Sequence, residues 1–173
     1  MAGFPWLLAR LVHIVAGTVW AGGAILIALY LLPAIRSAGP GGAAVLRELT
    51  VRKRLPEVLV VVGLAALVSG AYLLWVDSGG LELAWLVRPQ GLCYAIGALA
   101  SLGVVVIGLA VNIPGAKLIG RLSARAAERG TPLTGEEAEL AQRTAARIGT
   151  GTLAAAALLA VTTAAMAIAR TLA

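Results

Sequence analysis

The chain has 173 residues, of which 60 % are hydrophobic and 13 % charged, and its formal net charge is +6 at pH 7. Its mean hydropathy is +0.94, whereas about a quarter of the residues in a soluble domain are charged, so a soluble globular protein is excluded. The length predicts one transmembrane domain over residues 1–173. The net charge does not indicate nucleic-acid binding, because the basic residues lie mostly in two short connections between apolar segments.

Four apolar segments reach the length of about 20 residues that a helix needs to cross the hydrocarbon core. They cover about residues 5–32, 56–76, 90–114 and 148–169. The first is too long for the apolar region of a secretory signal peptide and is predicted to be a retained helix. The sequence therefore predicts an all-α, integral membrane four-helix bundle.

The segment between the third and fourth spans carries the signals of a helix end followed by a helix start. Gly130 is suited to a helix C-cap, and Thr134 with Glu137 has the T-x-x-E spacing of a capping box. The third and fourth helices are therefore predicted to extend beyond the membrane as an antiparallel hairpin.

Lysine and arginine are distributed unevenly between the two sides of the predicted bundle. Eleven of the fourteen lie in the connection after the first span or the connection after the third span. They are Arg36, Arg47, Arg52, Lys53, Arg54, Lys117, Arg121, Arg125, Arg129, Arg143 and Arg147. By the positive-inside rule both connections are cytoplasmic and both chain termini lie outside. The expected location is a bacterial-type cytoplasmic (inner) membrane, which the chain crosses four times.

The only histidine of the chain, His13, lies within the first span in the segment "LVHIVAGTVWAGG". His13, Gly17 and Trp20 share one helix face. An ionisable side chain within a span is costly and usually marks a functional site, and neutral imidazole is the commonest protein ligand of haem iron. Gly17 leaves room for a flat ring beside the helix, and Trp20 is placed to stack against it. The pattern indicates a haem or metal site.

His13 lies about 12 Å from the outer boundary at 1.5 Å per residue. Arg10, one turn nearer that boundary, is placed to pair with a haem propionate. Met166, in the outer half of the fourth span, is the candidate second metal ligand. Without it, the iron has five ligands, or a homodimer places two copies of His13 around one ring.

Two other interpretations remain open at this stage. In the first interpretation, His13 forms only an interhelical hydrogen bond, and its candidate partners are Ser69, Ser101, Thr162 and Thr163. The chain is then a cofactor-free structural or accessory subunit. A small-solute or metal transporter is the other alternative, but the spans have no acidic residue near the middle of the bilayer, where a proton-coupled transporter carries one.

The first-span residues His13, Gly17, Trp20, Gly22 and Gly23 resemble the motif H-x-x-x-G-x-x-W-x-G-G of a superfamily of small four-helix membrane proteins. That superfamily includes copper resistance protein D, the membrane domain of bacterial urate oxidases and the HemJ-like protoporphyrinogen oxidases. The segments "LVSGAYLLW" and "NIPGAKLIGRL" are weaker similarities. The resemblance implies a four-helix bundle in which the first-span histidine binds haem b.

Together these patterns predict a membrane-embedded haem b protein held by His13 near the outer face. It is expected to transfer electrons or to support a larger membrane redox complex, and any enzymatic activity would be that of an oxidoreductase. The expected partners are the lipid bilayer and either a second copy or other subunits of such a complex, with no nucleic acid.

Overall fold

The computed structural model describes residues 3–172, and every regular element in that range is helical. Four long apolar helices confirm the predicted all-α class with four candidate membrane-spanning helices packed together. They are α1 (Phe4–Ser37), α3 (Leu55–Asp77), α5 (Pro89–Arg129) and α6 (Gly135–Ala169). Two shorter helices lie in the connections, α2 (Gly39–Arg47) and α4 (Leu83–Leu86).

The third and fourth helices continue past the predicted spans at 90–114 and 148–169 into the connection between them. Helix α5 has 41 residues and α6 has 35, well above the length of about 20 that the hydrocarbon core requires. Gly130 ends α5 with φ +65°, the left-handed conformation that favours glycine. The predicted capping box begins α6: Thr134 Oγ1 accepts from the Glu137 N–H at 3.3 Å, and the Thr134 N–H donates to Glu137 Oε2 at 2.9 Å.

Helices α1 and α5 each contain one stretch of π-helix, at Ile27–Leu31 and Gly108–Asn112. A proline follows each stretch after one intervening residue, Pro33 in α1 and Pro114 in α5. Proline has no N–H to donate, and its ring clashes with the carbonyl four residues earlier. A local π-turn is one way to absorb that defect. Both helices therefore continue past their prolines instead of ending there.

The connection between α1 and α3 is itself mostly helical, which no pattern in the sequence indicated. Gly39 has φ +56° and allows the chain to turn from α1 into α2. A π-helical stretch, Glu48–Arg52, follows α2 directly.

Neighbouring long helices run in opposite directions. Helix α3 packs along α1, α1 also packs against α6, and α6 packs along α5, whereas α5 and α3 touch only marginally. We call the end of the bundle with Phe4, Asp77, Pro89 and Ala169 the outer end, and the opposite end the inner end. These names follow the charge-based prediction of orientation.

Small residues line the contacts between helices, as is usual for bundles in lipid. Ala16, Gly63, Ala66, Gly97 and Ala156 are all buried. A buried hydrophobic cluster consists of Val104, Ala155 and Leu159, with Trp20 and Leu158 packed against it. Most large aliphatic side chains instead face outward, including Val61, Val68, Leu99 and Val106. In a bilayer such a surface contacts lipid tails.

Candidate functional site

Two glycines of α3 receive the two large ring side chains of the first-span motif. A Cβ atom added to Gly70 would lie 2.7 Å from Cε1 of His13, and one added to Gly63 would lie 2.9 Å from Cε2 of Trp20. Neither position tolerates a side chain without movement of the ring. Gly63 and Gly70 are seven residues apart, as are His13 and Trp20, so two antiparallel helices bring both pairs together.

His13 is oriented by a hydrogen bond to the backbone of α3. Its Nδ1 lies 2.8 Å from the carbonyl oxygen of Ala66. A carbonyl oxygen can only accept, so Nδ1 carries the proton and the neutral ring has its lone pair on Nε2. Nε2 forms no hydrogen bond with any residue in the range 3–172. This is the arrangement that metal-binding histidines commonly show, with one ring N–H donated to a backbone carbonyl.

Space remains on the His13 side of α1 one turn further along. A Cβ atom added to Gly17 would meet no atom within 4 Å. Trp20 closes the region on its inner side, because it contacts Gly63 of α3 and packs against the cluster of Val104, Ala155 and Leu159. Trp20 therefore lies where all four long helices meet.

Arg10 lies between His13 and the outer end. Its guanidinium carbon is 5.1 Å from the centroid of the Trp6 ring, within range of a cation–π interaction. The Trp6 indole N–H in turn donates to Asp77 Oδ1 at 2.8 Å, which ties the start of α1 to the end of α3. Among residues 3–172 no carboxylate forms an ion pair with Arg10.

Met166 lies at a different helix contact from His13. A Cβ atom added to Gly97 would be 3.2 Å from Cε of Met166, so this thioether packs between α5 and α6. His13 instead packs between α1 and α3. The structure thus brings His13, Gly17, Arg10 and Trp20 to one side of α1 and gives Met166 a contact with another helix pair.

The four hydroxyls that the sequence suggested as partners of His13 are engaged elsewhere. Ser69 donates to carbonyls of its own helix, Ser101 and Thr162 bond to each other and to the Gly97 carbonyl, and Thr163 donates to Leu159. A backbone carbonyl is present at every residue, so no residue type marks Ala66 as the acceptor. The matched spacing of seven residues is the signal that could have identified Gly63 and Gly70.

No group of three or more His, Cys, Asp and Glu side chains within residues 3–172 could hold a metal ion. Among the described residues of this region, only His13 has a ring nitrogen, Nε2, that is free to bind iron.

Residues 7–170 match the model of a family described as "Predicted integral membrane protein (DUF2269)". The match covers nearly the whole chain, and the protein belongs to this family. No curated protein and no solved structure gives a significant match.

Proposed function

We propose that this DUF2269 family member is a membrane-embedded haem b protein in which His13 binds the iron near the outer face. It would transfer electrons or support a larger redox complex in the membrane. The observation that carries the proposal is the 2.8 Å hydrogen bond between His13 Nδ1 and the Ala66 carbonyl. That bond fixes the tautomer whose Nε2 can bind a metal and limits rotation of the ring.

The residues near His13 fit one face of a macrocycle. Gly17 has open space where a side chain would otherwise stand, and Arg10 is a cation without a carboxylate partner among the described residues. Haem b, when bound, supplies one-electron redox chemistry. The chain's own contribution would be to bind the iron through His13 Nε2, to pair Arg10 with a propionate and to exclude water on the side of Trp20.

Met166, the second ligand suggested by the sequence, remains part of the proposal as a testable element. Its contact with Gly97 in the α5–α6 interface favours His13 as the single ligand that each chain supplies. A second ligand would then be absent or would be His13 of a second copy.

The test is a reduced-minus-oxidised visible spectrum of the protein purified in mild detergent, with pyridine haemochrome quantitation. The wild type is expected to hold near-stoichiometric haem b. His13→Gln is expected to lose it while keeping an N–H donor for the Ala66 carbonyl, and circular dichroism checks that the helices remain. Full haem retention by His13→Gln would refute the ligand assignment. Met166→Leu would change the spectrum only if the sulfur binds the iron.

Gly17→Ala separates this proposal from the cofactor-free alternative. The added methyl meets no protein atom within 4 Å, so it leaves an empty bundle unchanged. If a ring lies over this face, the same methyl is expected to lower haem occupancy severalfold, because overpacking against a rigid ring is unfavourable.

The second candidate function is a cofactor-free structural or accessory subunit. It is favoured by the same contacts, since the Ala66 bond and the fit against Gly70 already give His13 a role in packing α1 against α3. A clean preparation without a haem band would support this function over the first.

A further inference from the structure

At the inner end, residues of α5 and α6 line a surface groove with a volume of about 160 Å³. Its apolar side consists of Ala110, Val111, Pro114 and Leu118 of α5. Its polar side consists of Thr144 and Arg147 of α6. The groove is distant in sequence and in depth from His13, so it is independent of the proposed haem site.

The shape of the groove follows from the local sequence of α5. Ala110 and Val111 belong to the π-helical stretch that precedes Pro114, and such stretches often occur at functional sites. At Gly115 the two helices are close, because an added Cβ atom would lie 2.9 Å from Cγ1 of Ile148. The groove is thus bounded by a tight helix contact on one side and a widened helix turn on the other.

Arg147 presents an uncompensated positive charge in this groove. The neighbouring Arg143, one turn earlier, is paired with Glu139, but no carboxylate within residues 3–172 pairs with Arg147. The wider inner end is also rich in arginine and lysine. An anion is therefore the complementary ligand.

The hydroxyl of Thr144 is also available. Four threonines further along α6 each donate to the carbonyl four residues earlier: Thr150, Thr152, Thr162 and Thr163. Thr144 makes no such bond in the described part of the chain, although its methyl carbon Cγ2 packs toward Gly115. Its hydroxyl can therefore donate to a ligand beside Arg147.

The depth of the groove matches the boundary between lipid tails and headgroups. Counted from the outer end of α6 at Ala169, Arg147 lies about 33 Å away and Thr144 about 38 Å away at 1.5 Å per residue. The hydrocarbon core is about 30 Å thick, and about 40–45 Å with the headgroup layers. Arg147 and Ala110, the latter about 32 Å from the outer end of α5, thus lie together at the tail–headgroup boundary, and Thr144 lies within the headgroup layer.

We propose that this groove binds an anionic phospholipid of the inner leaflet. Arg147 and Thr144 bind the phosphate oxygens, and the headgroup-proximal start of the adjoining acyl chain contacts Ala110 and Val111. Basic pockets between transmembrane helices on the cytoplasmic side are suited to anionic headgroups, and arginine is suited to phosphate because several N–H groups converge on its oxygens.

The test measures lipid binding to the full chain in mild detergent by native mass spectrometry. The probes are phosphatidylglycerol and phosphatidylcholine with identical acyl chains. The wild type is expected to bind phosphatidylglycerol about fivefold to tenfold more tightly. Arg147→Gln is expected to remove that preference and leave phosphatidylcholine binding unchanged. Thr144→Val is expected to reduce it about twofold to threefold.

Arg143→Gln is the matched control, because it removes one positive charge from the same helix one turn away. It is expected to keep the preference. An equal loss in both arginine variants would overturn the site in favour of diffuse surface charge. Displacement of phosphatidylglycerol by millimolar inorganic phosphate would overturn the lipid as occupant, because a free anion would then suffice.

Discussion

His13 in the α1–α3 interface and Glu137 at the tip of the α5–α6 hairpin are both ionisable side chains that hold two helical segments together. His13 donates one ring N–H to a backbone carbonyl, with Gly70 providing the space. Glu137 accepts two hydrogen bonds from Arg129, at 3.0 and 2.6 Å, and one from the Thr134 N–H. One contact joins a ring N–H to a backbone carbonyl, and the other joins two opposite charges.

The difference follows from the surrounding medium. Within the bilayer, charged side chains are expensive, so a polar contact is best made by a neutral ring with a backbone group. Glu137 lies about 48 Å along α6 from its outer end, beyond a hydrocarbon core of about 30 Å. Water there solvates the parts of the Arg129 and Glu137 side chains that the ion pair does not cover. Close packing determines the first contact, and capping and charge determine the second.

The largest effect is expected from filling the space at Gly70. Gly70→Ala places a methyl 2.7 Å from Cε1 of His13, so the ring must move and its bond to Ala66 is lost. We expect a loss of about 1–3 kcal/mol in the free energy of unfolding, measured by thermal or denaturant unfolding in detergent. Gly22→Ala is the control, because its methyl meets no atom within 4 Å. Equal stability of the two variants would show that Gly70 is not a packing requirement.

A smaller effect is expected at the hairpin from Thr134→Ala. It removes the side-chain oxygen that accepts from the Glu137 N–H, and the loss of an N-cap typically costs about 1 kcal/mol. This loss of stability should be confined to the start of α6. Amide hydrogen exchange is expected to increase in the first turns of α6 and to stay unchanged around His13. Faster exchange along the whole of α1 would contradict the separation between the two regions.

The smallest effect is a pH dependence confined to the hairpin. The hydrogen bonds from Arg129 and then from the Thr134 backbone lower the pKa of Glu137 to about 2. A lowered carboxyl pKa stabilises the folded hairpin above the ordinary value of 4.5, and that stabilisation is lost as the pH falls toward 2. The Thr134 amide resonance should titrate with a midpoint near pH 2 and should not titrate in Glu137→Gln.

A midpoint near the ordinary carboxyl value would show that the Arg129 contact is not maintained in solution. Because Gln also suits the capping box, Glu137→Gln removes the charge while keeping the helix start. Glu137→Gln therefore separates the contribution of the Glu137 charge from the contribution of the helix cap.

The sequence predicted the fold where a pattern has a direct physical cause. Runs of about 20 apolar residues give spanning helices in lipid, and Gly130, Thr134 and Glu137 mark the hairpin by backbone geometry and capping. The common face of His13, Gly17 and Trp20 follows from helical periodicity. The π-helical stretches were not predicted, because Pro33 and Pro114 are compatible with a helix end as well as with a continued helix.

Contacts between helices could be predicted only in part. The role of Gly70 depends on the register of α3 against α1, and the acceptor of the His13 bond is a backbone carbonyl that no residue type identifies. The placement of Met166 against Gly97 likewise depends on how α6 is rotated about its axis. The depth of a residue along its helix can be predicted from the sequence. Which residue of another helix lies beside it can be identified only from the packed structure.

The pairing of α1 with α3 and of α5 with α6 has a consequence for the synthesis of the protein. His13, the Ala66 carbonyl and Gly70 all lie in the first 77 residues, so every residue of this arrangement is synthesised before any residue of α5. Trp20 contacts Gly63 of α3, but its other partners Val104 and Leu159 belong to the second hairpin. The histidine contact thus requires only residues of the first helix pair, and Trp20 connects that pair to the second.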